Sequence, residues 1–537
     1  MPNKTEFLEL LLKNRNIEDT EKFLNPSYDD DLYDPFLLKD LEKACIRIFE
    51  AIEANEKVVI YGDYDCDGIP AVVIINDLFN KVGFKNYSVY IPDRHKEGYG
   101  LHSDAIEKFT SEEVKLLITF DLGITANSEV AKAQANGIDV IITDHHLPQQ
   151  ELPPAFAIVN PKICDYPDQM LCGAAVAFKL IQGLIFKYGK YWKIPKGWEK
   201  WMLDMVGFAT LADQVPLLNE NRVFALYGLK VLRKTKRPGL VEIFRKARVS
   251  LTELTEDDVI FTLAPKINAA SRMDSPMTAF ELLSTKDSKR AKDLTDFLFK
   301  INNERKYLVA QIMKDVKKNI GDRVNKPVIV IGNPKWRVGV LGIVAAKLVD
   351  KYQKPAFVWG QGIKGSCRGL EKINLVEWMA SLPENSLVEF GGHFNAGGFK
   401  SSYEEIHFLE ERLIKVMEGQ DEVEKEDGFI DADISLDDVI DSNYQIIERL
   451  APYGLGNIKP TFSFKNIEVV KIKEFGKEKN HLEISFRNNL KAISFFKKRE
   501  DYGIEEGNKI NLIANFEKNN FNGISELRLR ILDIIKI

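Results

Sequence analysis

Apolar and polar positions fall into blocks along the first half of the chain, and the period changes from block to block. Val58-Val59-Ile60-Tyr61 is a short apolar run of β-branched and aromatic residues, which pack well on a pleated surface, so it reads as a buried strand. A helical run from about Ile69 to Phe79 follows it. Tyr87–Ile91, Leu116–Phe120 and Val140–Thr143 are further strand-like runs with helical patterns between them. Strand–helix alternation at this spacing predicts an α/β fold with a parallel, doubly wound sheet. Residues 35–55 predict an amphipathic helix with Leu38, Leu41, Cys45, Ile48, Phe49 and Ile52 on one stripe. Leu203–Ala212 is a mostly apolar helix that finishes in Asp213. From about Asp287 to Ile320 a charged pattern carries Leu294, Phe297, Leu298 and Ile301 at helical spacing, predicting a long connecting helix packed on one side.

Asn325-Lys326-Pro327 marks a boundary, and Val328–Ile331 opens a second, smaller α/β domain. Gly419–Asp427 is an acidic, apolar-poor linker. Beyond it, runs at Ile467–Ile472, His481–Phe486, Lys491–Phe496, Lys509–Phe516 and Glu526–Ile534 predict five strands, enough for a small C-terminal β-barrel of the OB type. The expected division is therefore 1–285 for the first domain with its N-terminal helices, 286–325 for the connecting helix, 326–420 for the second α/β domain and 421–537 for linker and barrel.

Length and composition fit this picture of several globular domains: 537 residues, 45% hydrophobic and 29% charged. No charge-free apolar run approaches the roughly 18 residues of a membrane span, and the N-terminal stretch reads as a short amphipathic helix with charges throughout, not as a signal peptide. Five scattered cysteines without a CxxC pair predict free thiols and a reducing, cytoplasmic setting. The net charge of −6 argues against a general DNA-coating protein. Residues 460–537 nevertheless carry 15 lysines and arginines against 11 acids, a local basic surplus interleaved with Phe462, Phe464, Phe495, Phe496, Phe516 and Phe521. Some of these rings must fill a barrel; others are candidates to stack on bases.

Chemistry enters where the strands end. The first runs into Asp63-Tyr64-Asp65-Cys66-Asp67-Gly68, three carboxylates at alternate positions, which extended backbone would turn to one side. Carboxylates forced together repel unless a cation lies between them. An EF-hand calcium loop does not fit, because no helix precedes the segment and no Glu closes it. The other strands end in Asp121 and in Asp144-His145-His146, so a parallel sheet would carry all of these groups to its carboxyl edge, where ligands bind in open α/β sheets. Carboxylates with a few histidines suit Mn²⁺ or Mg²⁺. A pair of such ions about 4 Å apart is the recurring device for phosphoryl hydrolysis.

Asp63-Tyr64-Asp65-Cys66-Asp67-Gly68, then Asp121, then Asp144-His145-His146 resembles the DHH phosphoesterase superfamily. Asp213 stands where that family places its remaining metal-ligand Asp. Ala264-Pro265-Lys266-Ile267-Asn268-Ala269-Ala270-Ser271-Arg272 and Ala451-Pro452-Tyr453-Gly454-Leu455-Gly456-Asn457 resemble motifs of the RecJ branch. Trp336-Arg337-Val338-Gly339, Lys364-Gly365-Ser366-Cys367-Arg368 and Gly391-Gly392-His393 resemble the DHHA1 domain, with Arg337 where the family usually has His. The likeness runs from about Asp34 to the end of the chain, in the family's order of motifs.

The resemblance implies a nuclease that hydrolyses single-stranded DNA from its 5′ end to 5′-mononucleotides in repair and recombination. Two Mn²⁺ or Mg²⁺ ions are expected on Asp63, Asp65, Asp67, Asp121, His145 and Asp213. Asp65, Asp67 and Asp121 count as catalytic through those ions, and His146 as a proton or hydrogen-bond donor. Arg94, Tyr99, Asn268, Arg272, Arg368 and His393 are the candidates for holding substrate. Single-stranded DNA is the expected partner, with a helicase and a single-strand-binding protein as candidate helpers. A related reading is a phosphodiesterase acting on oligoribonucleotides or cyclic dinucleotides, which the basic C-terminal module disfavours. An inactive DNA-binding scaffold is a third, disfavoured by the intact acidic set.

Overall fold

The runs Val58–Tyr61, Leu116–Phe120 and Val140–Thr143 lie side by side in one parallel sheet. In the computed structural model, which describes residues 4–370, 373–418, 429–476, 479–521 and 524–537, they form β1 (Val58–Gly62), β3 (Leu116–Phe120) and β4 (Asp139–Thr143). With β2 (Tyr87–Tyr90) and β5 (Ala157–Val159) the order is β2-β1-β3-β4-β5, every pair parallel. All residues of β1 and β3 are buried, which is why these strands read as continuous apolar runs rather than alternating ones. β5 is three residues long within a proline-flanked stretch, too short to carry a period of its own.

The register of this sheet positions everything that follows. Gly62 pairs with Phe120, and Phe120 pairs with Thr143. The next residue of each strand is an aspartate, so Asp63, Asp121 and Asp144 leave one edge together. The helix Gly68–Val82 covers a face of the sheet with Ile69, Val72, Val73 and Leu78 buried. The helix expected over 35–55 is split: a 3₁₀ turn at Pro35–Leu37 is followed by Leu41–Glu53, with Asp40 in the left-handed conformation between them. The helix Leu203–Ala212 ends in Asp213, and the long connector spans Ser288–Asn319, 32 residues.

Five more strands build the second sheet: β6 (Ile329–Gly332), β7 (Ala356–Trp359), β8 (Lys364–Arg368), β9 (Glu389–His393) and β10 (Ala396–Lys400). Their order is β6-β7-β8-β10-β9, a parallel pair continued by antiparallel strands. Both sheets belong to one compact unit, Asp34–Asp213 with Gly228–Lys425.

The other unit joins Met1–Tyr33, Gln214–Tyr227 and Glu426–Ile537. Its strands are β11 (Ala432–Asp433), β12 (Phe462–Glu468), β13 (Lys471–Phe475), β14 (His481–Ser485), β15 (Lys491–Phe495), β16 (Lys509–Phe521) and β17 (Ile524–Lys536). They run β11-β12-β16-β17-β15-β14-β13. The single strand expected at Ile467–Ile472 is in fact a corner between β12 and β13, because Val469 turns into the core and bonds Asn508 instead of a strand partner. Phe462, Phe464 and Phe516 fill this core, together with Phe7, Leu8, Leu11 and Leu12 from the helix Lys4–Asn14. The amphipathic N-terminal helix thus packs with strands more than 400 positions away. The acidic stretch 419–427 expected as a linker lies outside the described residues.

The Ala451–Asn457 motif serves this unit structurally. The Asn457 amide donates to the carbonyls of Leu450 (2.8 Å) and Pro452 (2.9 Å), and its oxygen accepts from Arg15 (2.8 Å). Arg15 also pairs with the fully buried Asp431 at 2.5 Å, and Asp431 accepts from the Thr461 amide at 2.9 Å. Among the described residues, no helix is long and apolar enough to cross a membrane. All five cysteines are free thiols.

Replacing Asp431 with Ala strands the buried guanidinium of Arg15 without its counter-charge, a loss of about 3–5 kcal/mol. Thermal melting of the purified variant should show a clear drop. A melting curve matching the parent would remove this pair from the forces holding the N-terminal helix in place.

Candidate metal centre

After Gly62 the chain leaves the sheet and turns sharply into the helix that begins at Gly68. The turn is tight enough that a Cβ on Gly68 would lie 2.6–2.7 Å from the backbone and Cβ of Asp63, so glycine is required there. The three carboxylates therefore converge because the backbone folds back on itself, and not through the pleat of a continued strand. Residues of opposite parity point the other way. Cys66 is buried with its thiol 3.4 Å from the Ala264 carbonyl, and the Tyr64 ring carries the Arg94 guanidinium 4.0 Å above it.

On the acidic side, three sets of ligand atoms each lie within 4.8 Å of one another: Asp63, Asp65 and Asp121; Asp67, His145 and Asp213; Asp121, His145 and His146. All six residues expected to hold metal are thus brought together, with His146 beside them. Asp67 is further gripped by the N-terminus of the helix Gly173–Tyr188, whose Gly173 and Ala174 amides donate to it at 2.5 and 2.7 Å. Gly173 has no room for a side chain, since a Cβ would come 2.7 Å from the Asp121 carboxylate. Asp121 itself sits at φ 64°, a left-handed conformation that a non-glycine residue keeps only where its surroundings impose it.

Charge in this cluster is unbalanced. Burial and the neighbouring carboxylates push Asp63, Asp121 and Asp213 well above the ordinary range, and Asp67 up to about 7. The histidines are set apart by their partners. His145 Nδ1 faces the Leu171 carbonyl at 2.9 Å, so it carries the proton, and Nε2 is a bare acceptor 3.2 Å from an Asp121 oxygen. Burial and the adjacent His146 push His145 down to about 3, keeping it neutral. His146 instead contacts Asp144 at 2.7 Å, and this bond raises it despite burial. Asp144 is held near about 2, against the cost of burial, by His146, His145 and the Ile124 amide.

Two acceptors facing each other, and buried oxygens of Asp63 and Asp121 without a hydrogen-bond donor, need a cation between them. Hard carboxylate oxygens with one neutral imidazole fit Mn²⁺ or Mg²⁺. Tyr99 closes the rim: its hydroxyl lies 3.3 Å from the Asp121 carbonyl and 3.4 Å from His146 Nδ1, while the ring is half-exposed.

Across the acidic turn lies the opposite charge. Arg94, Arg305 and Arg368 gather around Arg272, and among the described residues none of the four is in an ion pair. Burial, followed by the other three guanidiniums, pushes Arg272 down to about 9. The Nε atoms of Arg94, Arg272 and Arg305, the side-chain oxygen of Asn268 and the hydroxyl of Ser271 are buried without a partner. Arg272 reaches the Gly339 carbonyl (3.3 Å), and Arg337 reaches that of Met273 (3.4 Å). Such a pocket is made for an anion with several oxygens. The His393 side chain lies outside the described residues.

Sequence reading missed Gly173 and Ala174, Asp144 as the partner of His146, and Lys162, which bonds the His145 carbonyl. It also missed Arg305, whose only signal was one arginine among many bases of the connecting helix.

Fold and site together define a protein of the DHH class. Family models match at 57–210 (DHH family, N-terminal domain), 325–419 (DHHA1 domain) and 430–533 (RecJ OB domain). The chain belongs to the RecJ family. It is 34% identical over 548 residues to the single-stranded-DNA-specific exonuclease RecJ of Bacillus subtilis, covering 98% of this chain and 68% of that one. It is 30% identical over 551 residues to RecJ of Haemophilus influenzae, covering 98% and 95%. The crystal structure of Thermus thermophilus RecJ in complex with Mn²⁺ matches with a TM-score of 0.85 at 25% identity, over 99% of this chain and 76% of that one. The Mg²⁺ complex of the same protein has the same fold, with a TM-score of 0.79.

A raised carboxylate binds its proton more tightly folded than unfolded, so the metal-free fold loses stability as pH rises from the ordinary value of about 4 through about 7. His145, held neutral, opposes this only below about pH 6.5. In chelator, the melting temperature should therefore fall between about pH 6.5 and 8, and Mn²⁺ should restore it most at the alkaline end. A metal-free melting temperature that is flat over this range would contradict the charge imbalance. Gly68→Ala should cut Mn²⁺-dependent turnover by at least about tenfold, since a misplacement of about 1 Å already costs more; unaltered turnover would show that the turn tolerates a side chain.

Proposed function

We propose that this chain is a metal-dependent exonuclease that degrades single-stranded DNA in the 5′-to-3′ direction and releases 5′-mononucleotides. The observation that carries the reading is the juxtaposition across one turn of a carboxylate–imidazole centre and an anion pocket of four guanidiniums. A phosphodiester bound at the first would have its neighbouring phosphate within reach of the second.

Asp63, Asp65, Asp67, Asp121, His145 and Asp213 would hold the two ions. When bound, these supply an activated water and neutralise charge on the phosphate under attack. The chain's own groups do the rest. His146, protonatable because of Asp144, faces the centre as a donor to the phosphate or the departing oxygen. Tyr99 keeps His146 and the Asp121 backbone in register. Arg94, Arg272 and Arg368, with Asn268, hold the strand by its phosphates, and fixing it there sets where the cut falls. Arg305 adds a fourth charge to that grip.

A strand-specific nuclease works on DNA already opened, so a helicase and a single-strand-binding protein are the partners this activity calls for. Free thiols fit a reducing compartment such as the cytoplasm. Residues 1–33 and 214–227 pack with the C-terminal strands, so the strand-binding module cannot be removed cleanly by ending the chain near residue 424.

The test is to incubate the full chain with Mn²⁺ and strands labelled at either end. Release of the 5′ label as a mononucleotide before the 3′ label is expected. Release from the 3′ end, or faster cleavage of oligoribonucleotides or cyclic dinucleotides, would overturn the proposal. Asp121→Ala should lose at least about a hundredfold in rate with its fold kept. Arg272→Lys, which cannot copy two parallel hydrogen bonds to a phosphate, should raise KM by about tenfold with little change in melting temperature.

A further inference from the structure

The unit that contains the C-terminal strands encloses a cavity of 660 Å³ where its three chain segments meet, its wall drawn from residues 14–26, 218–223 and 429–458. Arg222 stands in that wall and is 3% exposed. Its Nε donates to the Phe23 carbonyl at 2.7 Å, and its Nη2 to those of Leu450 and Ala451 at 3.1 and 3.2 Å. The guanidinium lies 3.7 Å over the Phe23 ring. Its Nη1 is buried without a partner, and among the described residues no carboxylate pairs with this arginine. Burial pulls it down to about 10.

An arginine that only ties three segments together explains the carbonyl contacts. It does not explain the unmatched charge, since a neutral amide could donate to carbonyls without the cost of a buried cation. Nor does it explain the open space beside it. The other charges of the wall are largely spoken for. Arg15 pairs with Asp431 at 2.5 Å, and Asp19, the one acid in the lining, caps the helix Thr20–Leu24 by accepting from the Lys22 amide at 3.0 Å. Lys22 Nζ reaches Asp31 only at 3.4 Å. The wall therefore carries a surplus of positive charge. Its apolar part is made by Ile17, Phe23, Leu218, Val223, Phe429 and Ile458. The side-chain amides of Asn16 and Asn219 also line it, and among the described residues they bond no other group.

We infer that this cavity binds a nucleoside 5′-monophosphate, with the phosphate on Arg222 and Lys22 and the base among the apolar residues beside Asn16 and Asn219. The volume lies within the range of about 300–1,000 Å³ that small-molecule sites occupy. A guanidinium and an ammonium suit phosphate oxygens. A side-chain amide, donor and acceptor at once, can meet the polar edge of any base. The wall shares no residue with the carboxylate–imidazole centre, so this is a second nucleotide site. A ligand held where three segments meet also ties them together, so occupancy stabilises the fold. The inference rests on the proposed function, in which such a monophosphate is the product, and deepens it by giving that product a place to be sensed.

The test uses the full chain in chelator and without DNA, and titrates it with thymidine 5′-monophosphate in a calorimeter. Thymidine, which lacks the phosphate, and inorganic phosphate, which lacks the base, should each bind at least about tenfold more weakly. Asn16→Asp and Ile458→Glu, both at exposed positions, place a carboxylate in the wall. Each should weaken binding of the monophosphate at least about tenfold while the melting temperature without ligand stays unchanged. Arg222→Gln keeps a donor and removes the charge, and should lose binding as well; if it fails to fold, the two exposed variants decide. The monophosphate should raise the melting temperature of the parent and not that of Asn16→Asp. Arg272→Ala should leave this binding in place, which separates the cavity from the guanidinium cluster of the other unit. Absence of binding, equal binding by parent and both exposed variants, loss of binding in Arg272→Ala, or inorganic phosphate bound as tightly as the monophosphate would each overturn the site. Because no turnover is measured, a chain that fails to cut DNA would sink the nuclease reading and leave a positive titration standing; a chain that cuts and binds no monophosphate would do the reverse.

Discussion

Electrostatic repulsion inside a buried space is the constraint on which this molecule turns. Three parallel strands end at the same level because Gly62, Phe120 and Thr143 are paired in register, and each is followed by an aspartate. The helix Leu203–Ala212 delivers Asp213, and the turn after β1 delivers Asp65 and Asp67. Carboxylates set so close together, with Asp63, Asp67 and Asp121 buried, cannot all be ionised without a cation. The scaffold tolerates them through what surrounds them: helix amides on Asp67, a histidine kept neutral, and a sheet rigid enough that the groups cannot drift apart. Stability is given up locally so that metal can be held.

The turn Asp63–Gly68 has a second consequence. Its odd positions face the carboxylate centre and its even positions, Tyr64 and Cys66, face a cluster of guanidiniums. Each cluster alone is costly, since burial penalises charge of either sign. Placed back to back, they put an acidic centre on one side of the turn and a basic pocket on the other. Helix Ala264–Met273 and strand β8 supply Arg272 and Arg368, and the connecting helix supplies Arg305. The connector therefore lines the guanidinium cluster as well as linking the two sheets.

The C-terminal unit has a different character. Its core takes Phe462, Phe464, Phe486 and Phe516 from among the bases of the segment, while Phe495 and Phe496 lie on the outer face. It is completed by the first helix of the chain and by a short segment from its middle, so its stability depends on residues that its own stretch of sequence does not contain.

Much of this was legible in the residues themselves. Apolar runs of four or five β-branched and aromatic residues, each followed by an acid, announced a parallel sheet with chemistry at its carboxyl edge, because strand burial and strand termination are local properties. The carboxylates and histidines that gather at this edge were legible for the same reason: each sits one to five positions beyond a strand, or at the end of a helix. What lies between distant segments was not. That Asp67 is capped by Gly173 and Ala174, that His145 is neutral and His146 protonatable, and that Arg305 joins Arg272 all depend on contacts between residues far apart in the chain, and on burial, which no local pattern encodes. The corner at Val469 was misread because a strand and a turn into the core place apolar residues at the same spacing. The N-terminal helix advertised an apolar face by its periodicity; only tertiary packing, which buries that face wherever a complementary core exists, decided that its partner is the C-terminal sheet.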